Sequence, residues 1–229
     1  MSNRNKRIAP LLITIDGPAG AGKTTVSRTL ATRLGFLYVD TGALYRAVAF
    51  EAVSRGVDTE NDDELDRLAS GLDLKFVHAD EGGRLLSCGK DISDAIRTPR
   101  IAMLASAVSA RPSVRRALLD VQKRMGAEKA AVFEGRDMGT VVFPDADVKF
   151  FLTAELAARA RRRFDEYGDA KDQRFEDVLE DMKRRDENDS TRALAPLRAA
   201  PDAVIIDSTD MNPEAVVDAM AAHVYSKHG

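Results

Sequence analysis

The chain has a single cysteine, Cys88, among 229 residues, so no intrachain disulfide is possible. That agrees with a reducing compartment. It also lacks a charge excess: 34 Lys and Arg against 37 Asp and Glu leave a formal net charge of −3. Such a balance gives no support to general nucleic-acid binding. The basic start, Met1 to Pro10, leads into a short apolar run, Leu11 to Ile15, that meets Asp16. This is the pattern of neither a signal peptide nor a membrane span, and a cytoplasmic protein with no membrane partner is expected. No internal repeat or low-complexity segment occurs. What is present, 44% hydrophobic and 31% charged residues, is the composition of a soluble globular chain with a sizeable core.

The most informative stretch is Gly17-Pro18-Ala19-Gly20-Ala21-Gly22-Lys23-Thr24-Thr25, which fits the phosphate-binding pattern G-x-x-x-x-G-K-[ST]. Leu11 to Ile15 before it has strand length, and Val26, Leu30 and Leu34 after it recur every fourth residue, as on a helix face. Strand, glycine loop and helix is the context the motif needs. Glycines let successive backbone N–H groups converge on an anion, and the helix N-terminus adds its positive dipole end. These nine residues are therefore expected to hold a nucleoside triphosphate. Lys23 would reach β- and γ-phosphate oxygens, and the Thr24 hydroxyl would ligate Mg²⁺.

The rest of the chain reads as α/β. Phe36 to Asp40 is a second strand, followed by a helix with Leu44, Val48 and Ala52 on one face. Strand–helix repetition implies a parallel sheet with ligands at the strands' C-terminal ends, which places Thr41, Tyr45 and Arg46 beside the phosphate loop. Asn61 to Leu68 is a short acidic helix. Leu72, Leu74 and Phe76 then alternate with polar residues, a turn candidate stands at Asp80 to Gly83, and Arg84 to Ile92 is broken at Gly89. This is a small antiparallel insertion of hairpins. Thr98 to Met125 is helical in two pieces divided at Arg111-Pro112. On spacing alone, Ser106 and Arg115 there read as plain surface.

Ala130 to Glu134 is a strand running into Gly135-Arg136-Asp137-Met138-Gly139. An acid at such a strand end can act on Mg²⁺ through a water, so Glu134 is a second metal candidate. Val148 to Leu152 is another strand. Leu156, Ala160 and Phe164 form a helix stripe, and the arginines at 159 and 161–163 crowd the remaining, ordinarily solvated, face. Glu166 to Gln173 is a mobile-loop candidate. In the next helix Phe175, Val178 and Met182 are continued by Arg185, Asp189 and Arg192, so an inward stripe turns from apolar to charged without leaving its face. Unpartnered buried charges are costly, and a cleft holding an anionic ligand resolves this. Val204 to Asp207 is a last strand and Pro213 to Tyr225 a closing helix.

Arginines thus come from four places: Arg46, Arg136, the 159–163 cluster, and Arg185 with Arg192. A kinase for a phosphorylated acceptor brings two anions together and needs such provision. The guanine-reading Asn-Lys-x-Asp of a switch GTPase is not found. A motor or transporter subunit would be longer.

The phosphate loop, Asp40-Thr-Gly-Ala-Leu-Tyr-Arg46, Glu134-Gly-Arg-Asp-Met-Gly-Thr-Val-Val-Phe-Pro144, and Arg185 through Arg192-Ala-Leu-Ala-Pro-Leu197 together resemble the bacterial cytidylate kinases, nucleoside monophosphate kinases among the P-loop proteins. Glu134 stands where Asp is expected, and Thr24 where some members have glycine. The resemblance runs from about Leu11 to the C-terminal helix. It implies a P-loop core with a five-stranded parallel sheet flanked by helices, a small antiparallel β insertion and a short lid. The core would be 1–40 and 128–229, with the lid at about 157–192. The monophosphate-binding region would be 41–127, with its insertion at about 71–93. It implies ATP and Mg²⁺ with CMP and dCMP as acceptors, and a monomer is expected. By match to its motifs, Thr41, Arg46, Ser106, Arg115, Arg136, Asp137, Arg185, Asp189 and Arg192 line the CMP site, with Lys23, Arg136, Arg185 and Arg192 catalytic. A carboxylate at Asp137, with Ser106, suits the cytosine amino group, and Arg115 its acceptors. Another small kinase, for UMP or some other phosphorylated acceptor, and a non-catalytic nucleotide-dependent regulator are the alternative readings.

Overall fold

The computed structural model describes residues 8–77, 83–166 and 174–228. The mobile loop expected at 166–173 lies, beyond Glu166, outside the described residues, as does the 80–83 turn apart from Gly83. In chain order the elements begin with β1 (Leu12–Asp16), α1 (Lys23–Leu34), β2 (Leu37–Asp40), α2 (Thr41–Arg55) and α3 (Asp62–Gly71). Then come β3 (Leu74–Val77), β4 (Arg84–Ser87), β5 (Lys90–Asp91), α4 (Pro99–Ser109) and α5 (Pro112–Gly126). The last group is β6 (Ala131–Gly135), β7 (Val148–Thr153), α6 (Leu156–Glu166), α7 (Phe175–Thr191), β8 (Val204–Asp207) and α8 (Pro213–His228).

The main sheet has five parallel strands in the order β2-β6-β1-β7-β8. Its central strands are apolar runs because both faces are covered. Ile13, Ile15, Val132, Phe150 and Leu152 are buried against Val26 and Leu30 of α1 and Val217, Met220 and Val224 of α8. Burying each such side chain contributes about 1.5–3 kcal/mol before entropy is counted. The register decides where polar ends fall. Asp16 stands opposite Gly135, and Asp40 opposite Glu134, so three strands deliver three carboxylates to one sheet edge.

Local signals terminate the helices as their chemistry requires. Gly35 and Gly56 end α1 and α2 in the left-handed conformation. Asp40, Asn61 and Thr98 cap α2, α3 and α4 by accepting from the N–H groups of Ala43, Glu64 and Ile101. Helices α2 to α5 share a separate core, with Leu44, Val48, Leu65, Leu85, Ile96, Val108 and Leu118 buried together. The small antiparallel sheet β3-β4-β5 packs there. Helices α6 and α7 have their own small cluster of Ala160, Val178 and Met182. No helix among the described residues is long and apolar enough to cross a membrane.

One expected strand residue moves. Leu72 ends α3 as its C-cap, with extended backbone, and the strand begins at Leu74. Leu72 is still buried like Leu74, with exposed Asp73 between them, because it leaves the helix already extended.

Candidate active site

The phosphate loop joins β1 to α1, as the motif requires. Gly17 has φ +150°, and a Cβ there would lie 2.0 Å from the Leu152 carbonyl oxygen, so no other residue fits against β7. Gly22 precedes α1 at φ +87° in the left-handed region. The loop's carbonyls are held outward by the rest of the chain: the Ala19 carbonyl accepts from Arg159 Nη1 at 3.0 Å and the Ala21 carbonyl from Ser208 Oγ at 3.2 Å. Pulling carbonyls out leaves the N–H groups turned the other way, which suits an anion.

Lys23 is the first residue of α1 and is buried, its Nζ donating to the Pro18 carbonyl at 2.7 Å. Burial, then the charge of Arg136, holds its pKa well below the usual lysine value, against the opposing pull of Glu134. Thr24 Oγ donates to Glu134 Oε1 at 2.9 Å. Glu134 Oε2 is buried without a hydrogen-bond partner. Burial, then the neighbouring charge of Asp40, lifts the Glu134 carboxyl to about 7. A hydroxyl and an orphaned carboxylate oxygen side by side at a strand end are a donor set for a hard divalent cation. Thr25 is exposed, its carbonyl accepting from Thr29 Oγ.

At the next strand end, Thr41 opens α2 and its hydroxyl donates to the Glu134 carbonyl at 2.7 Å. Arg46 is a turn further on and donates to Asp40 Oδ2 at 2.6 Å, while its Nε is buried without a partner. After β6 the chain passes Arg136 and Asp137 into a π-helical turn, Met138–Val142. Arg136 Nε donates to Asp189 Oδ2 of α7 at 2.9 Å. Asp137 is buried and accepts from Arg115 of α5, whose guanidinium also stands 5.8 Å over the Tyr45 ring. Burial pushes the Asp137 carboxyl up, against the opposing charges of Arg115 and Arg192. Arg192, just past α7, donates from Nε to the Ala195 carbonyl at 2.6 Å. Its other nitrogens lie 3.8 Å from Asp189 Oδ1 and 3.9 Å from Asp137 Oδ1. Arg185 is exposed by area yet ringed by protein, and the resulting desolvation, then the charge of Arg136, lowers its pKa.

Arg115, Arg136, Asp137, Asp189 and Arg192, from α5, the turn after β6 and the end of α7, are therefore one network. Arg136 and Arg185 lie close enough to Lys23 for their charges to act on it. Thr41 reaches the same strand end, and Arg46 is joined to it through Asp40. Ser106 stands apart: it is exposed on α4, where its carbonyl accepts from Ser109 Oγ, and no hydrogen bond joins it to the network among the described residues.

Two features differ from the sequence reading. Arg159 is not part of a solvated face. It is 5% exposed and donates to the Ala19 and Ala154 carbonyls and to Asp186 Oδ2. Asp186, one turn beyond Met182, is accordingly the residue of α7 that pairs with this arginine of α6. Sequence reasoning also passed over Asp16, which is buried at the end of β1. Its signal was a carboxylate closing an otherwise apolar central strand.

A parallel sheet with the strand order above, a glycine loop closing on a buried lysine, and arginines converging from separate elements define a phosphate-binding-loop phosphotransferase. A solved, uncharacterized protein from Eubacterium ventriosum has a similar fold, with TM-score 0.52 at 13% identity over 94% of this chain and 99% of its own. The family model described as cytidylate kinase matches residues 13–226. Cytidylate kinase of Geobacter sulfurreducens is 49% identical over 216 residues, 93% of this chain and 92% of its own. That of Pseudomonas paraeruginosa is 49% identical over 217 residues, 93% of this chain and 94% of its own. The chain belongs to the cytidylate kinase family.

Proposed function

We propose that this enzyme transfers the γ-phosphoryl group of ATP to CMP and dCMP, giving ADP and CDP or dCDP. The observation that carries the reading is the Arg115–Asp137–Arg192–Asp189–Arg136 network beside Lys23, in a chain of this family. The loop Gly17 to Thr25 binds the ATP phosphates, and Lys23 neutralises the β- and γ-oxygens. Thr24 would hold Mg²⁺ directly and Glu134 through a water, and the ion would supply charge neutralisation to the phosphates. Arg46 and Arg136 hold the acceptor phosphate. Asp189 takes a ribose hydroxyl. Arg185 and Arg192 reach toward the transferring group, whose charge spreads over its oxygens. Asp137 accepts the cytosine amino proton, Ser106 joins it when the region closes, and Arg115 donates to the base acceptors. Catalysis is positioning and charge neutralisation, with no covalent enzyme intermediate.

Residues 41–127 act as the monophosphate-binding region and 157–192 as the lid, which shields ATP from water. The enzyme acts as a monomer in the cytoplasm and has no nucleic-acid partner. A coupled ADP assay with CMP, dCMP, UMP and AMP tests the reading. Preferred turnover of CMP and dCMP is expected. UMP as the best acceptor, or no turnover of any monophosphate, would overturn it.

A further inference from the structure

We propose that Asp16 is a positioning residue that ties the phosphate loop to the turn carrying Arg136 and Asp137, and thereby sets how strictly the acceptor base is read. This rests on the cytidylate reading above. Asp16 is the last residue of β1, directly before Gly17, and only 4% exposed. Its carboxylate reaches sideways across the sheet edge. Oδ1 accepts from Met138 N at 2.9 Å and Oδ2 from Gly139 N at 2.7 Å. These are the first two amides of the π-helical turn Met138–Val142.

A helical turn leaves its first N–H groups unsatisfied, and the residue before it ordinarily caps them with its own side chain. Here that residue is Asp137, and it makes no such bond. Its carboxylate is turned the other way, to Arg115 and toward Arg192. Asp16 supplies the missing cap from the neighbouring strand. An aspartate in the capping position is thereby released for the substrate side. The fit is close: a Cβ at Gly139 would lie 3.0 Å from Thr14 Oγ1, 3.2 Å from Lys149 Cδ and 3.4 Å from Asp16 Oδ2.

Both oxygens of Asp16 accept, which only a carboxylate can do. Asn offers one acceptor, and its NH₂ would face a backbone N–H. With one amide uncapped, the Asp137 side chain regains its local capping choice and leaves the base-reading position for part of the time. The same carboxylate lies within electrostatic reach of Lys23. Asp16 therefore serves donor and acceptor sides at once without touching either substrate.

The test is Asp16→Asn, with kcat and KM for CMP and UMP at saturating ATP, KM for ATP, and a thermal melt. The CMP KM is expected to rise about tenfold and the ratio of CMP to UMP kcat/KM to narrow by about tenfold, as misplacement of a reading group does. The ATP KM should change less than about threefold, since Arg159 and Ser208 still hold the loop. A role confined to stability would lower turnover of CMP and UMP alike and leave their ratio fixed. If Asp16→Asn does not fold, Gly139→Ala carries the test: it displaces the turn by tenths of an ångström with every charge in place, and the same narrowing is expected. An unchanged CMP to UMP ratio in a folded variant overturns the inference alone. A wild-type enzyme with no preference for CMP overturns the cytidylate reading and the inference with it.

Discussion

Asp137→Asn is the sharpest perturbation of base choice, because the structure shows what each carboxylate oxygen is doing. Oδ2 is taken by Arg115. Oδ1 is 3.9 Å from Arg192 Nη2, beyond hydrogen-bond range, and so retains lone pairs for an incoming donor. A cytosine amino group donating to that oxygen makes a charge-assisted bond worth about 1.5–3 kcal/mol. Uracil presents O4 there, lone pair against charge, and both groups go unpaired. Asn loses the charge, and its amide can rotate to offer NH₂ to O4. CMP kcat/KM is therefore expected to fall about 10- to 150-fold, the same free energy expressed as a rate ratio. UMP should fall less or improve, so the preference narrows by at least about tenfold.

The assay is coupled ADP formation with CMP and UMP at several concentrations each, with a melt as control. Arg115 loses its partner's charge, but a carboxylate that burial already disfavours is also removed, and the two effects oppose each other. The variant should stay folded. An unchanged CMP to UMP ratio in a folded Asp137→Asn enzyme would remove Asp137 from base reading.

Lys23→Ala should lower kcat at least about a hundredfold. The Lys23 charge is disfavoured by burial, so its loss should shift the melting temperature by no more than about 5 °C; near-normal kcat would contradict the role given to it. Gly17→Ala sets a Cβ 2.0 Å from the Leu152 carbonyl and should cost more than about 3 kcal/mol, seen as a fall of roughly 6 °C or more in Tm. A melt within two degrees or so of the parent would show that β7 yields there, against the packing argument. The Asp16 carboxyl is raised from 3.8 to about 6, chiefly by burial. The folded state then binds its proton more tightly than the unfolded state, so this group's contribution to stability falls as pH rises through that window. The Tm of Asp16→Asn minus that of the parent should thus become more positive from about pH 4 to pH 6; a difference independent of pH would refute the shift.

Local patterns were enough for the elements that carry their own signal. The phosphate loop, the helix start at Thr98-Pro99, the division at Arg111-Pro112, and the period-two insertion each announce themselves over a few residues. The site was legible only as a set of residue types. The π-helical turn at 138–142 has no sequence period, because what stabilises it is Asp16, more than a hundred residues away. Arg159 sat unmarked in a run of arginines. Its burial depends on Ala19, Ala154 and Asp186, and two of those are remote in sequence. Leu72 read as strand because a helix exit and a strand share the same extended backbone.

The aspartates explain how so many arginines can be gathered before any phosphate arrives. Arg46 is held by Asp40, Arg115 by Asp137, Arg136 by Asp189 and Arg159 by Asp186. Each pair joins different elements or a strand end to its helix, so each also fixes a position. Like charges packed in a cleft with nothing between them would repel and resist desolvation. Paired, they stay within reach of an anion and keep donors to spare: Arg46 Nε and Arg192 Nη2 are both buried without a hydrogen-bond partner. In the proposed function those unused donors are the atoms that a substrate phosphate satisfies. The acidic residues at this edge are thus what makes an arginine-rich cleft compatible with a folded protein.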